Sequence, residues 1–325
     1  MTHFEKLFGF REASPAAVHA GLRVEDGRMI SKVSGASYGC GRLEMPSLAE
    51  LRARVAALPV SAGPTRVREV VGDAKSLHAD PANAGDLFQV ASQFNLLEMC
   101  GPEETPEMGV SKYAGDPTQG PACALACFAG TVYRNYFVPL GGQTGQTEAR
   151  QVDCLADLGA ALGNREARLW EMRNGYCLAT AEGLREIRQV LEAAGEAERD
   201  SLRARLRVGI QWETEVTLPG SGHRVSQLYA SALPVGYSPH GAAAWEPFAR
   251  LVLEAAYEAT LLAAALTPRR RVYLTYIGGG VFGNRMPWIV EAMQEALDKT
   301  RHLGLEVYAV SFRSANPAIA PLLCG

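Results

Sequence analysis

Gly278-Gly279-Gly280-Val281-Phe282-Gly283-Asn284 is the segment of this chain with the plainest chemical use. Glycines let a turn adopt positive φ and bring backbone N–H groups close to an anion. A strand-like run from Arg271 to Ile277 leads into the segment and a helix-like run follows it. The first N–H groups of such a helix, with its dipole behind them, favour negative charge. The chemistry expected is phosphate binding. The same glycines also fit a tight connection after a buried strand, and the segment matches neither the Gly-x-x-x-x-Gly-Lys-Ser/Thr nor the Gly-x-Gly-x-x-Gly fingerprint. A second junction able to hold an anion is Gly115-Asp116-Pro117-Thr118-Gln119-Gly120-Pro121, ahead of a small-residue helix from Ala122 to Gly130 with Pro121 at its first position.

The elements that must position these loops follow from periodicity. Residues 1–45 are rich in Gly and Ser with weak periodicity and read as an irregular extension packed on the main body. Ser47 caps a short helix through Val55, ended by Pro59. Strands are expected at 65–71 and 87–91, in a hairpin at 208–217 and 224–232, and at 271–277 and 305–312. Long helices are expected at 247–266 and from the glycine loop to about Leu303. Between 141 and 207 apolar spacing is helical. Leu184, Ile187, Val190 and Leu191 form one stripe flanked by Arg185, Glu186, Arg188 and Glu192, a solvated amphipathic helix. Strands separated by helices in this order predict an α/β layer fold with parallel central strands, whose ligands sit at the strands' carboxyl ends.

Composition narrows the class. With 325 residues, 47% hydrophobic and 21% charged, the chain is an ordinary globular protein, and disordered and fibrous classes are excluded. A net charge of -3 gives no global footprint for nucleic acid or an anionic membrane, although Arg269-Arg270-Arg271 is locally basic. The start lacks a signal-peptide profile and the apolar run at 259–266 is too short to span a bilayer, so a cytoplasmic location is expected. Seven dispersed cysteines argue against a disulfide framework. Cys123 and Cys127, four apart, fit a buried helix face better than a metal site, and the six histidines form no triad or zinc pattern, so no metal and no cofactor is expected.

Taken in order, the segments resemble the macrodomain family, an ADP-ribose-binding α/β/α fold. Val70-Val71-Gly72-Asp73 resembles the family's strand ending in Gly-Asp, and Val90-Ala91-Ser92-Gln93-Phe94-Asn95 falls where the family has an Asn-rich strand end. Gly278 to Asn284 resembles its second phosphate loop, and Val307 to Phe312 its terminal strand. The resemblance covers 65–140 and 208–325. It implies a three-layer α/β/α mixed sheet with an N-terminal extension, 1–64, and a helical insertion, 141–207, in the 65–325 domain. The departures concern the first loop, where a glycine run is replaced by Gly115 to Gly120, and the Asn pair, of which Asn95 alone survives.

The resemblance implies that the partner is ADP-ribose or an ADP-ribosylated substrate. Asp73 then reads the adenine amine, although Gly-Asp at a strand end is also a common turn. Thr118, Gln119 and Gly120 and the loop of Gly278, Gly279, Gly280, Val281, Phe282, Gly283 and Asn284 hold the diphosphate. Phe282 packs on a ribose or, equally, is a core aromatic. Hydrolysis at the distal ribose needs water positioned or deprotonated, by a carboxylate or through an Asn that orients the water. Glu98 and Asp116 are the candidates, with Asn95 orienting the ribose. The bland alternatives are a solvated helix residue for Glu98 and a turn former for Asp116. Arg134 and Asn135, set between aromatics, line the pocket or lock the helix end. Non-catalytic ADP-ribose recognition, and a protein-interaction scaffold built on 141–207, are the other expectations.

Overall fold

The computed structural model describes residues 1–59 and 63–324. The strands of its central sheet are β1 (Arg42–Glu44), β2 (Arg66–Val71), β3 (Leu87–Ala91), β4 (Gly209–Glu215), β5 (Arg224–Ala230), β6 (Arg271–Leu274) and β7 (Glu306–Ser311). Their spatial order is β1-β4-β5-β3-β6-β7-β2. β5, β3, β6, β7 and β2 are mutually parallel, whereas β4 runs against both of its neighbours, so the sheet is mixed. β3 lies in the middle with Leu87, Phe88 and Val90 buried, as a strand covered on both faces must be.

The N-terminal residues are more regular than their sequence suggested. They hold α1 (His3–Phe8), a helix at Pro15–Gly21 and a three-stranded antiparallel meander of Leu22–Glu25, Arg28–Ser31 and Ser37–Gly39. These elements are three to seven residues long, too short for a period to show. Their capping chemistry was the available signal: Thr2 and Glu5 form a capping box, and Ser14 caps a helix that starts at Pro15. Residues before position 64 also supply β1, so they complete the sheet's edge as well as packing on it.

Helices cover both faces, giving the α/β/α layering expected. One layer contains α2 (Ala74–Ala79), α3 (Gln119–Ala126) and α4 (Phe128–Tyr136). The anticipated single helix from Ala122 to Gly130 is thus two, broken at Cys127 (φ -118°, ψ 60°), and Pro121 stands third in α3 instead of first. The opposite layer is built around α6 (Ala242–Ala265), which packs against α5 (Ala181–Ala193) and α7 (Met286–Thr300). α6 is apolar on nearly every side and almost wholly buried. Its buried carboxylate, Glu258, is matched by Arg52 at 2.5 Å and Lys299 at 3.1 Å.

Residues 141–207 are not purely helical. They include a β-hairpin, Trp170–Arg173 with Tyr176–Ala179, turned by Asn174 and Gly175 at φ 46° and 80°. An Asn-Gly pair of this kind is a strong hairpin signal that the helical spacing around it obscured. The segment joins the principal core: Leu155, Leu158, Trp170, Leu184, Ile187 and Leu191 are all buried in it, and Trp170 packs on Phe248 of α6 at 5.3 Å between centroids. Each such side chain is worth roughly 1.5–3 kcal/mol of burial. Val190, placed in the apolar stripe by spacing, is 45% exposed and lies off it. Among the described residues no helix is long and apolar enough to cross a membrane.

Candidate functional site

A cleft of about 900 Å³ opens where β2, β3, β6 and β7 end, and its wall includes Asp73, Glu98, Asp116, Thr118, Gly120 and the turn from Gly278 to Phe282. Both glycine-containing loops therefore meet at one opening. The strand order fixes the sequence of groups along it: Asp73 after β2, Phe312 after β7, the glycine turn after β6, and Gln93 and Glu98 after β3.

The glycine turn is held by its own backbone. Asn284 donates its N–H to the Gly278 carbonyl at 2.9 Å, Gly283 donates to Gly280 at 2.9 Å and Gly279 to Tyr276 at 3.0 Å. Gly278 and Gly283 take φ of 75° and 71°, which explains glycine at both. The N–H groups of Gly280, Val281 and Phe282 keep no acceptor among the described residues. The free N–H groups thus belong to the turn itself and not to a helix end, since α7 starts at Met286, beyond the turn. Two of the expected ligand contacts do not reach the cleft wall. Gly283 and Asn284 lie outside it, and the buried Asn284 amide is turned to the Leu233 carbonyl at 2.8 Å. Phe282 is half-buried and packs with the rings of Tyr176 and Tyr237 at 5.4 and 5.6 Å.

The second loop is shaped by side chains. Asp116 accepts the Thr118 N–H on Oδ1 at 2.8 Å, and its Oδ2 lies 3.6 Å from Cys100 Sγ. The Gln119 side chain is spent on the sheet, donating to the Gln89 carbonyl at 3.1 Å and accepting the Ala91 N–H at 2.8 Å. It clamps the end of β3 and is not free for a ligand. A Cβ on Gly120 would stand 2.2 Å from the Ala91 carbonyl oxygen, so α3 approaches β3 as closely as it does because residue 120 has no side chain. The backbone N–H groups of Gln119 and Gly120 remain without an acceptor among the described residues, as first-turn groups do.

Asp73 is the N-cap of α2. Its Oδ1 accepts from the N–H groups of Lys75 and Ser76 at 3.0 and 3.1 Å, and its other oxygen from the Ser76 hydroxyl. Burial opposes its charge, but those donors outweigh it and hold the carboxyl below its usual range.

Glu98 is no solvated helix residue. It is 2% exposed, at the floor of the cleft, with Arg134 Nη2 3.1 Å from its Oε1. Burial outweighs the attraction of that cation and pushes the Glu98 carboxyl up to about 7. Arg134 in turn donates Nε to the Leu96 carbonyl at 2.9 Å and Nη1 to the Tyr229 hydroxyl, with its guanidinium 3.7 Å above the Tyr229 ring. Arg134 thus locks the helix against the cleft floor, and Asn135 turns to the Pro106 carbonyl at 3.0 Å. Asn95 does not face the cleft. It is fully buried, donates to Gln151 Oε1 at 2.8 Å and accepts the Leu97 N–H at 3.1 Å. Both of its side-chain groups are taken up by the fold, so it cannot orient a sugar. Residues that sequence reasoning missed in the cleft wall are Tyr176, Tyr237 and Phe312, the last 63% exposed. An aromatic at the exit of a buried strand was the available signal for Phe312.

No protein-family model matches this chain, and no curated protein does. Among solved structures, the chain is similar to poly(ADP-ribose) glycohydrolase from Thermomonospora curvata, with 15% identity, 94% of each chain covered and a TM-score of 0.48. It is also similar to poly(ADP-ribose) glycohydrolase from Deinococcus radiodurans in complex with ADP-ribose, with 13% identity, 86% of this chain and 94% of that one covered, and a TM-score of 0.48.

Proposed function

We propose that the cleft binds ADP-ribose or an ADP-ribosyl group and that the protein hydrolyses an ADP-ribose derivative at its distal ribose. One observation carries this reading: the order of groups along the carboxyl edge of the sheet. An ionised acceptor, Asp73, comes first and suits the adenine amine. The exposed Phe312 ring follows and suits the base's face. Next are two turns with unused N–H groups, which suit a diphosphate without a lysine or arginine. Glu98 and Asp116 come last, where the anomeric carbon of the distal ribose would lie. In the hydrolytic step the bond from that carbon to its leaving group breaks with the electron pair going to the leaving group, water adds to the carbon, and a carboxylate takes the water's proton, which ends on the leaving group. Asp116, in the cleft wall with its Oδ2 3.6 Å from Cys100 Sγ, is one candidate for this, and Glu98, whose carboxyl burial pushes up to about 7, is the other.

Binding without turnover is the second reading, and the commitment of Glu98 to Arg134 favours it. Calorimetry with ADP-ribose tests both. A Cβ at Gly280 would meet no described residue within 4 Å and its φ is not positive, so a side chain there would project into the cleft without straining the fold. Gly280→Val is expected to fold normally and to weaken binding about tenfold or more. Release of ADP-ribose from a modified peptide is expected from the wild type and lost in Glu98→Gln or Asp116→Asn with binding retained. Binding with no release selects the second reading. Neither heat nor thermal shift on adding ADP-ribose sinks both.

A further inference from the structure

The turn that carries Glu98 is strained. Leu96 is buried and takes φ 65°, in the left-handed region that a side chain of its size rarely adopts. Such a conformation persists only where the surrounding structure fixes it. Arg134 does so at two points of this one turn: its Nε donates to the Leu96 carbonyl at 2.9 Å, and its Nη2 lies 3.1 and 3.4 Å from the two Glu98 oxygens. The guanidinium is itself anchored, Nη1 on the Tyr229 hydroxyl and Nη2 on Thr131 Oγ1 at 3.4 Å. The other neighbours of Glu98 are the Tyr113 hydroxyl, which accepts its N–H at 3.2 Å, and α3, where a Cβ on Gly120 would stand 3.2 Å from Glu98 Cγ. Arg134 is buried and lies outside the cleft wall, so it reaches a ligand only through Glu98.

We propose that Arg134 is a positioning residue for the hydrolytic step, gripping the Leu96 carbonyl and the Glu98 carboxylate together so that the strained turn presents Glu98 to the cleft. The inference rests on the hydrolytic reading above. One nitrogen of Arg134 reaches Glu98, not the two of a side-on fork, so the carboxylate keeps lone pairs for the water's proton. Tyr113, Tyr229 and Cys123 also face Glu98, and Asp116 shares its cleft wall, but Arg134 is the cation among them. A cation favours the charged carboxylate, so removing it lifts the pH at which Glu98 ionises.

The test is release of ADP-ribose from a modified peptide, followed from about pH 5 to 9. Wild-type kcat/KM is expected to rise with pH through about 7. Arg134→Gln should move that limb up by about one pH unit or more and lower kcat about a hundredfold, with KM unchanged. Arg134→Lys, which restores the charge without the fork, should return the limb to its wild-type place and lose only about tenfold in kcat. Tyr229→Phe, which removes one anchor of the guanidinium, should lower kcat about tenfold at constant KM, and it decides the matter if Arg134→Gln does not fold. An unmoved limb in folded Arg134→Gln, or wild-type kcat in Tyr229→Phe, overturns the proposal and leaves the hydrolytic reading standing. A wild type that binds ADP-ribose in calorimetry but releases none sinks that reading, and the proposal with it.

Discussion

Glu98 and His78 are buried at the two ends of one polar chain beneath the cleft, and the chain allows a single arrangement of protons. Arg134 can only donate, so the Tyr229 hydroxyl accepts from it and gives its own proton to Gln227 Oε1 at 2.7 Å. The Gln227 amide is then turned to His78 Nε2 at 2.9 Å and to the Cys123 carbonyl at 3.0 Å. His78 must therefore be neutral, with its proton on Nδ1, given to the Ala74 carbonyl at 2.7 Å. Burial, chiefly, lowers its pKa from 6.5 to about 4. Because the unfolded chain takes up this proton first, the stability His78 contributes is present above pH 6.5 and is lost as pH falls towards 4, by roughly 3 kcal/mol. Glu98, raised from 4.5 to about 7, acts in the opposite sense: its burial favours the folded state at low pH, and that advantage is lost as pH rises through 7. Urea unfolding of wild type and His78→Gln from pH 4 to 8 separates the two. The gap between them should widen by about 3 kcal/mol between pH 4 and 6.5, and a constant gap would show that His78 is not held neutral. Glu98 itself was legible in the sequence as a carboxylate after a strand. Its partner was not, because Arg134 is 36 residues away and on a different element. The same distance effect misled for Asn95, whose partners Gln151 and Gln146 come from another segment.

At the scale of elements, the strands were the legible part. Alternation and apolar runs located β2 to β7, with β3 matched end to end. What pattern could not show was how closely one element approaches another. Gly120 is the clearest case: its place in α3 reads as a loop-to-helix glycine, yet the reason for it is the Ala91 carbonyl on β3. Gly120→Ala is expected to push α3 off the strand end and to cost about 1–3 kcal/mol by overpacking. It should also break the Gln119 clamp on Gln89 and Ala91. The check is a paired measurement of urea midpoint and of amide exchange at Ala91, which should become less protected. An unchanged midpoint would mean that the helix can retreat freely, and the loop from Gly115 to Gly120 would then be adjustable and not fixed.

For the molecule as a whole, the notion of a core with attachments needs revision. The order β1-β4-β5-β3-β6-β7-β2 brings residues from before position 64 into the sheet. The segment 141–207 lends its leucines, Trp170 and Tyr176 to the core and to the cleft wall. None of this has a local signature, since it depends on which surfaces meet after folding. Deleting 141–207 and rejoining the ends is accordingly expected to leave α6 uncovered and to yield a chain without a cooperative thermal transition in calorimetry, whereas an inserted tail on a complete core would be removed without loss. A last consequence lies in Asp73, which caps α2 and also belongs to the cleft wall. A group in the cleft that draws on this carboxylate draws on the cap of the helix as well, so occupancy of the cleft should be readable in the amide exchange of Lys75 and Ser76.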